Sequence, residues 1–189
     1  MKKIAGLLSI VVLFNMLSMH DSKAQHSAGL VLGAGPSFRT GYSHVVTFGA
    51  EYKYLLLKNH LGVGVKVGLV NVGLNQTISL LTQALGGSSE KGVTAFLGVA
   101  SFDYFILTNK WKPYVSVDFG GMASDKSKNL PMYGVVASPG IGTRFAVTDK
   151  IDLEAAFRFP IFVNFASTND KTLASMTVGL GAHYNFGAK

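Results

Sequence analysis

The chain has 189 residues, 48% of them hydrophobic and 14% charged, with 22 glycines, no cysteine and a net charge of +7. The apolar content excludes a disordered chain, the missing cysteine excludes disulfides and thiolate metal sites, and glycine without a period of three excludes collagen. The basic residues are scattered singly, whereas a polyanion groove needs clustered Lys/Arg interleaved with aromatics, so nucleic acid is not an expected partner.

Lys2 and Lys3 precede an apolar run from Ile4 to Leu17, and Ser22-Lys23-Ala24 offers a small-x-small cleavage site. That is the pattern of a secretory signal peptide. The run is too short to span a bilayer as a helix, which takes about 20 apolar residues. Residues 1–24 are therefore read as a cleavable signal and 25–189 as one exported domain.

The exported part alternates apolar and polar residues in segments of about ten, the period of a strand with two unlike faces. Segments 28–38 and 44–54 come first; in the second, Val46, Phe48, Ala50, Tyr52 and Tyr54 oppose Thr47, Gly49, Glu51 and Lys53. In 61–70, Leu61, Val63, Val65, Val67 and Leu69 oppose Gly62, Gly64, Lys66 and Gly68. Segments 93–105, 113–122 and 135–147 fit less cleanly. In 151–161, Ile151, Leu153, Ala155, Phe157, Phe159 and Ile161 oppose Asp152, Glu154, Ala156 and Arg158. The last strand sets Val178, Leu180, Ala182, Tyr184 and Phe186 against Thr177, Gly179, Gly181, His183 and Asn185. Pro36, Pro139 and Pro160 mark bulges, edges or strand ends.

The pattern predicts an all-β fold: an eight-stranded antiparallel up-and-down transmembrane β-barrel. An even strand number closes the barrel and leaves no unpaired backbone edge in lipid. The connectors alternate in length: 55–60, 106–112 and 148–150 are short and 71–92, 123–134 and 162–171 longer, the exception on the long-loop side being the first, 39–43, which is short. In an outer-membrane barrel the short turns are periplasmic, and the long loops face outward.

Alternation alone does not say which face is inside, because a soluble lipocalin-like periplasmic barrel would bury the apolar face instead. Two features favour the lipid-facing assignment. Glycines share the charged face (Gly62, Gly64, Gly68, Gly140, Gly142, Gly179, Gly181), and small residues suit a narrow lumen. The charges on that face also nearly cancel: Glu51, Asp103, Asp118, Asp152 and Glu154 against Lys53, Lys66, Arg144 and Arg158. Neighbouring strands are expected to pair Glu51 with Lys66, Lys66 with Asp103, Asp118 with Arg144, and Arg144 with Glu154. An enclosed charge is costly unless paired, so the prediction is an ion-pair network plugging a polar lumen. Eight strands leave room for side chains but not for the water channel of a porin, which takes about 16–18.

Aromatics gather near strand ends, where amphipathic rings suit the headgroup level. Tyr52, Tyr54, Tyr104, Phe105, Trp111, Tyr114, Tyr184 and Phe186 are expected to form a periplasmic girdle, and Phe38, Tyr42, Phe162 and Phe165 an outer one. Arg39, Lys91, Lys126, Lys128 and Lys171 make the outer surface weakly basic, in position for lipopolysaccharide phosphates. Loops 71–92, with Ile78, Leu81 and Leu85 at helical spacing, and 123–134 are candidate docking sites for a protein partner.

Catalytic and cofactor signals are sparse. Gly33-Ala34-Gly35-Pro36-Ser37-Phe38 starts like a dinucleotide fingerprint but has Phe38 at the third glycine and no βαβ setting. His26, His44, His60 and His183 fall on different strands and heights, so neither metal nor cofactor is expected. The one candidate for a lipid A-modifying barrel enzyme is His44 with Ser43 or Ser37, and no acid lies nearby in sequence to orient it.

In the order of these features the chain resembles small outer-membrane β-barrel proteins of the PorT-like type, related in architecture to OmpX and the OmpA transmembrane domain. The resemblance rests on the export signal, Trp111-Lys112-Pro113-Tyr114-Val115, Ser138-Pro139-Gly140-Ile141-Gly142-Thr143-Arg144-Phe145, and the glycine-rich last strand ending His183-Tyr184-Asn185-Phe186. It implies a monomeric barrel in outer-membrane lipid with a structural or adhesive role, and no catalytic signature. Such barrels usually end on an aromatic residue, whereas here Gly187-Ala188-Lys189 follow Phe186.

Overall fold

The computed structural model describes residues 25–39, 42–57, 59–74, 92–124, 132–165 and 172–186. Residues 1–24, expected to be a signal segment, Ile78, Leu81 and Leu85, expected at helical spacing, and 187–189 lie outside the described residues.

Ten β-segments make up the described chain: β1 (Gln25–Pro36), β2 (Tyr42–Leu56), β3 (Leu61–Leu74), β4 (Gly92–Phe105), β5 (Trp111–Ser124), β6 (Tyr133–Ala146), β7 (Ile151–Arg158), β8 (Ile161–Asn164), β9 (Thr172–Ala174) and β10 (Thr177–Phe186). They form eight staves. β7 and β8 both pair with β6 and together make one stave. β9 and β10, which pair with β8 and β7, make another. All pairings are antiparallel, and β10 closes the barrel on β1 with Leu30 opposite Ala182.

The interruption between β7 and β8 falls at Phe159-Pro160, because proline brings no N–H to the ladder. Pairing survives it: Phe159 N donates to Pro139 O at 2.8 Å, and Ser175 N donates to Pro160 O at 3.0 Å. The staves also run further than the alternation suggested. β3 extends to Leu74 and β6 begins at Tyr133. The pattern fades near the long-loop end because the inner face turns apolar there: Val70 and Val72 are buried, while Val67, Leu69 and the polar Asn71 face out.

The two faces have opposite chemistry. Leu180 is 66% exposed and Leu30 58%, while Lys53 is 0% and Arg144 1% exposed. A soluble barrel reverses this arrangement, since apolar side chains avoid water and ions seek it. The exterior is therefore one suited to hydrocarbon, as the glycine placement and charge cancellation predicted.

The turn from β2 to β3 holds two residues at positive φ, Leu57 (51°) and Asn59 (70°). Asparagine tolerates that region, but for leucine it costs about 1–2 kcal/mol. Leu57 is 68% exposed, so little burial offsets this. Leu57→Asn is expected to raise stability by about 1 kcal/mol, read as a higher urea midpoint for the barrel in liposomes.

Candidate functional site

Among the described residues, ten formal charges inside the barrel form two connected groups. Arg144 on β6 is the hub of the larger. Its Nη2 donates to Glu51 Oε1 at 2.7 Å, its Nε donates to Glu154 Oε2 at 3.0 Å, and Nη2 lies 3.5 Å from Asp103 Oδ2. Lys53 Nζ donates to Asp103 Oδ2 at 2.5 Å and lies 3.1 Å from Glu51 Oε1. Lys66 Nζ donates to Asp118 Oδ2 at 2.6 Å and lies 3.6 Å from Glu51 Oε2. Arg158 Nη2 donates to Glu154 Oε1 at 2.7 Å. The smaller group, towards the short turns, is Lys112 Nζ on Asp152 Oδ2 at 2.7 Å.

Carboxylates and cations are equal in number once Lys112 is included. Lys112 was missed among the lumen bases, although it shares parity with Ser116 and Asp118 along β5. Two of the four expected pairs form, Glu51 with Lys66 and Arg144 with Glu154, each directly cross-strand. The other two do not. Lys66 pairs with Asp118 instead of Asp103, and Asp103 takes Lys53 and Arg144. Asp118 lies opposite Ser138, while Arg144 lies opposite Lys112, so the expected Asp118–Arg144 contact is out of register. The lumen also allows pairing over a whole strand: Lys53 lies opposite Gly64 and Asp103 opposite Gly62, so β3 presents only glycine between them.

Tyr114, expected in the girdle, lies in the lumen at 1% exposure, on the same side of β5 as Asp118. The Arg144 guanidinium sits over its ring at 6.0 Å and over the Phe105 ring at 5.4 Å. Arg158 Nη2 reaches its hydroxyl at 3.5 Å. Phe105 and Phe162 are also buried rather than girdling. Gly142 makes the space for Tyr114, since a Cβ there would stand 2.6 Å from the phenol oxygen. His183 was placed on the inner face but not in the network. It stands between two acids, with Nδ1 3.3 Å from Glu51 Oε1 and Nε2 3.0 Å from Glu154 Oε2. A Cβ at the facing Gly29 would approach its ring to 2.2 Å.

Glu51, Glu154 and His183 are close enough to share an ion, but a cation does not fit. Both carboxylates already accept from Arg144, and Lys53 and Lys66 add positive charge beside Glu51.

The lumen is not polar throughout, contrary to the sequence expectation. Beyond Lys66 and Arg158, towards the long loops, it is filled by Val45, Val70, Val72, Val99, Met122 and Phe162 among others. The staves there carry apolar residues on both faces, so no alternation marks an inside.

Outside, Tyr52, Tyr104, Trp111, Tyr184 and Phe186 are exposed at the short-turn end, with Tyr54 half-buried beside them. Trp111 packs edge-on to Phe145, and Tyr184 to Phe186, each at 4.9 Å. At the opposite end Phe38 stacks on Phe159, and the exposed Tyr133, not foreseen there, meets Phe165. Of the basic residues assigned to lipopolysaccharide, only Arg39 is among the described residues. It donates to the Thr172 carbonyl and covers the Tyr42 ring. Lys91, Lys126, Lys128 and Lys171 lie outside the described residues, as do 75–91 and 125–131 of the candidate docking loops. Ser43 Oγ is 2.8 Å from His44 Nδ1, while Ser37 Oγ accepts from Arg39 N. No carboxylate contacts His44 among the described residues.

No protein-family model and no curated protein matches this sequence. Solved structures match in fold. The N-terminal β-barrel domain of Pseudomonas aeruginosa OprF is similar at TM-score 0.56 and 15% identity, over 87% of this chain and 100% of that one. Neisserial surface protein A is similar at 0.54 and 16%, over 86% and 97%. Ail of Yersinia pestis, in complex with the heparin analogue sucrose octasulfate, is similar at 0.53 and 15%, over 87% and 100%. The chain thus has the fold of small eight-stranded outer-membrane barrels.

Proposed function

We propose that this chain is a monomeric, non-catalytic outer-membrane barrel, exported by residues 1–24 and closed to general diffusion, which strengthens the membrane and presents its long loops to partners. The observation that carries the reading is the pairing of an apolar exterior with a neutral ionic network across the lumen. The hub stands where a pore would need open water, with Arg144 spanning from β6 to Glu51 on β2. The likeness to Ail, whose complex holds a sulfated sugar, supports a contact with anionic sugars or lipopolysaccharide phosphates. Arg39, Lys91, Lys126, Lys128 and Lys171 are the residues proposed for it, since an excess of cations on one surface raises the local concentration of anions.

Fractionation of cells expressing the full chain is expected to recover it with outer-membrane lipid, migrating faster on unheated than on heated gels. Reconstituted into planar bilayers, it is expected to give no porin-like conductance. Recovery in the soluble periplasm, or stable ohmic steps, would overturn the reading. Neutralising the five basic residues together is expected to weaken association with lipopolysaccharide vesicles, the more so at low salt.

A further inference from the structure

The short-turn end carries a cation that the lumen network does not use. Lys110 is the last residue of the turn between β4 and β5. Its carbonyl accepts from Ala146 N at 2.9 Å, so its backbone is held one step beyond the Trp111–Phe145 pair of the β5–β6 ladder. Lys110 borders the barrel mouth together with Lys112 and Asp152. Lys112 stays inside on Asp152, but the Lys110 side chain turns over the rim. Its Nζ stands 5.0 Å from the centroid of the Phe145 ring, on the outer wall. Among the described residues no carboxylate lies within ion-pair distance of it.

The wall around this ammonium is apolar. Trp111 is exposed beside Phe145, and Leu153, opposite Phe145 on β7, is exposed below them. Ile106, Leu107 and Val147 are exposed apolar side chains in the two adjoining turns. Apolar turn residues, an indole and a lysine with its stem laid along the wall belong at the level where chains meet headgroups. In the neighbouring turn Asp149 and Lys150 are adjacent and cancel. Lys110 is thus left as the uncompensated charge of this rim.

We propose that Lys110 and Trp111, backed by Phe145, bind the headgroup of an anionic phospholipid in the leaflet at the short turns. The inference rests on the reading of the exterior as lipid-facing. A phosphate there supplies the counter-ion that Lys110 lacks, and the indole N–H is a further donor to its oxygens. The occupant is a lipid because the ammonium stands over a wall that hydrocarbon covers, so an anion meeting it carries chains that lie against Leu153. A zwitterionic headgroup fits less well, since it brings an ammonium of its own beside Lys110.

The test reconstitutes the full exported chain in vesicles and quenches Trp111, the single tryptophan, with phospholipids brominated on an acyl chain. Brominated phosphatidylglycerol is expected to displace phosphatidylcholine from Trp111 with about fivefold preference, the effect of one lysine at a charged lipid surface. The preference is expected to vanish in Lys110→Gln and persist in Lys110→Arg. It is expected to fade at about 1 M salt, where screening acts within about 3 Å. Brominated phosphatidylcholine alone is expected to quench the parent and Lys110→Gln equally, the sign that the barrel is inserted and Trp111 in place. Equal affinity of the two lipids for the parent barrel overturns the proposal, and so does a preference that survives Lys110→Gln. A preference that inorganic phosphate abolishes at matched ionic strength also overturns it, since the site then takes a soluble anion. If neither lipid quenches Trp111, the indole is not in a bilayer, and the membrane-spanning reading falls together with the site.

Discussion

Arg144→Met is expected to destabilise the barrel by about 3–5 kcal/mol, the cost of leaving buried charges without their partner. The side chain is 1% exposed and serves three carboxylates at once, Glu51, Glu154 and Asp103. Methionine fills much of the volume, so the loss reports charge rather than packing. Glu51 retains Lys53 and Lys66, and Glu154 retains Arg158, but both stay desolvated with one partner fewer. Adding Glu154→Gln removes one carboxylate and restores equal numbers of cations and anions in the larger group, leaving Arg158 to Asp118 at 3.9 Å. The double variant is therefore expected to recover about 1–2 kcal/mol relative to the single, a coupling of the size seen for residues in one network. Urea unfolding in liposomes, followed through the single tryptophan Trp111, measures both. A loss under about 1 kcal/mol for Arg144→Met, the range of solvated surface pairs, would mean that water reaches the lumen and that the network does not plug it.

The architecture was legible because strand period and chemistry coincide over most of the chain. In β3 the order Val63-Gly64-Val65-Lys66-Val67-Gly68 names two faces without ambiguity, and the structure gives them those faces. The network was legible only where partners sit directly cross-strand, as Arg144 and Glu154 do. Its other contacts pass over a glycine or across the lumen, as between Lys53 and Asp103 or Arg144 and Glu51. Those depend on side-chain reach within a closed cylinder, which adjacency along the sheet does not encode. Tyr114 was misassigned for a different reason. An aromatic near a strand end suits a girdle by position, yet its parity with Lys112 and Asp118 points it inward, and parity decides because successive side chains must alternate. The apolar half of the lumen had no clear sequence signal: Val70 and Val72 point inward beside the outward Leu69 and Asn71, so apolar character there no longer marks the lipid face.

Orientation of the faces has its own quantitative test on the exterior. Leu180 lies mid-strand, opposite Leu32 on β1 and Ala155 on β7, and is the most exposed apolar side chain on β10. At the centre of a bilayer, arginine on the lipid face costs about 2–4 kcal/mol, falling to about 0–1 near the interface. Leu180→Arg is therefore expected to cost about 2–4 kcal/mol in urea unfolding from liposomes. Ile151→Arg, at the short-turn end opposite Tyr184 in the girdle, is expected to cost no more than about 1 kcal/mol. The gradient matters more than either value. On a water-exposed surface both substitutions fall within about ±0.5 kcal/mol of zero, because arginine is at home in water at any height. Depth-dependent loss requires a medium that cannot solvate the guanidinium at mid-height and can at the rim, which only a bilayer supplies. Equal, small effects at both positions would place the apolar belt against something other than lipid, and the membrane-spanning reading would fall with it.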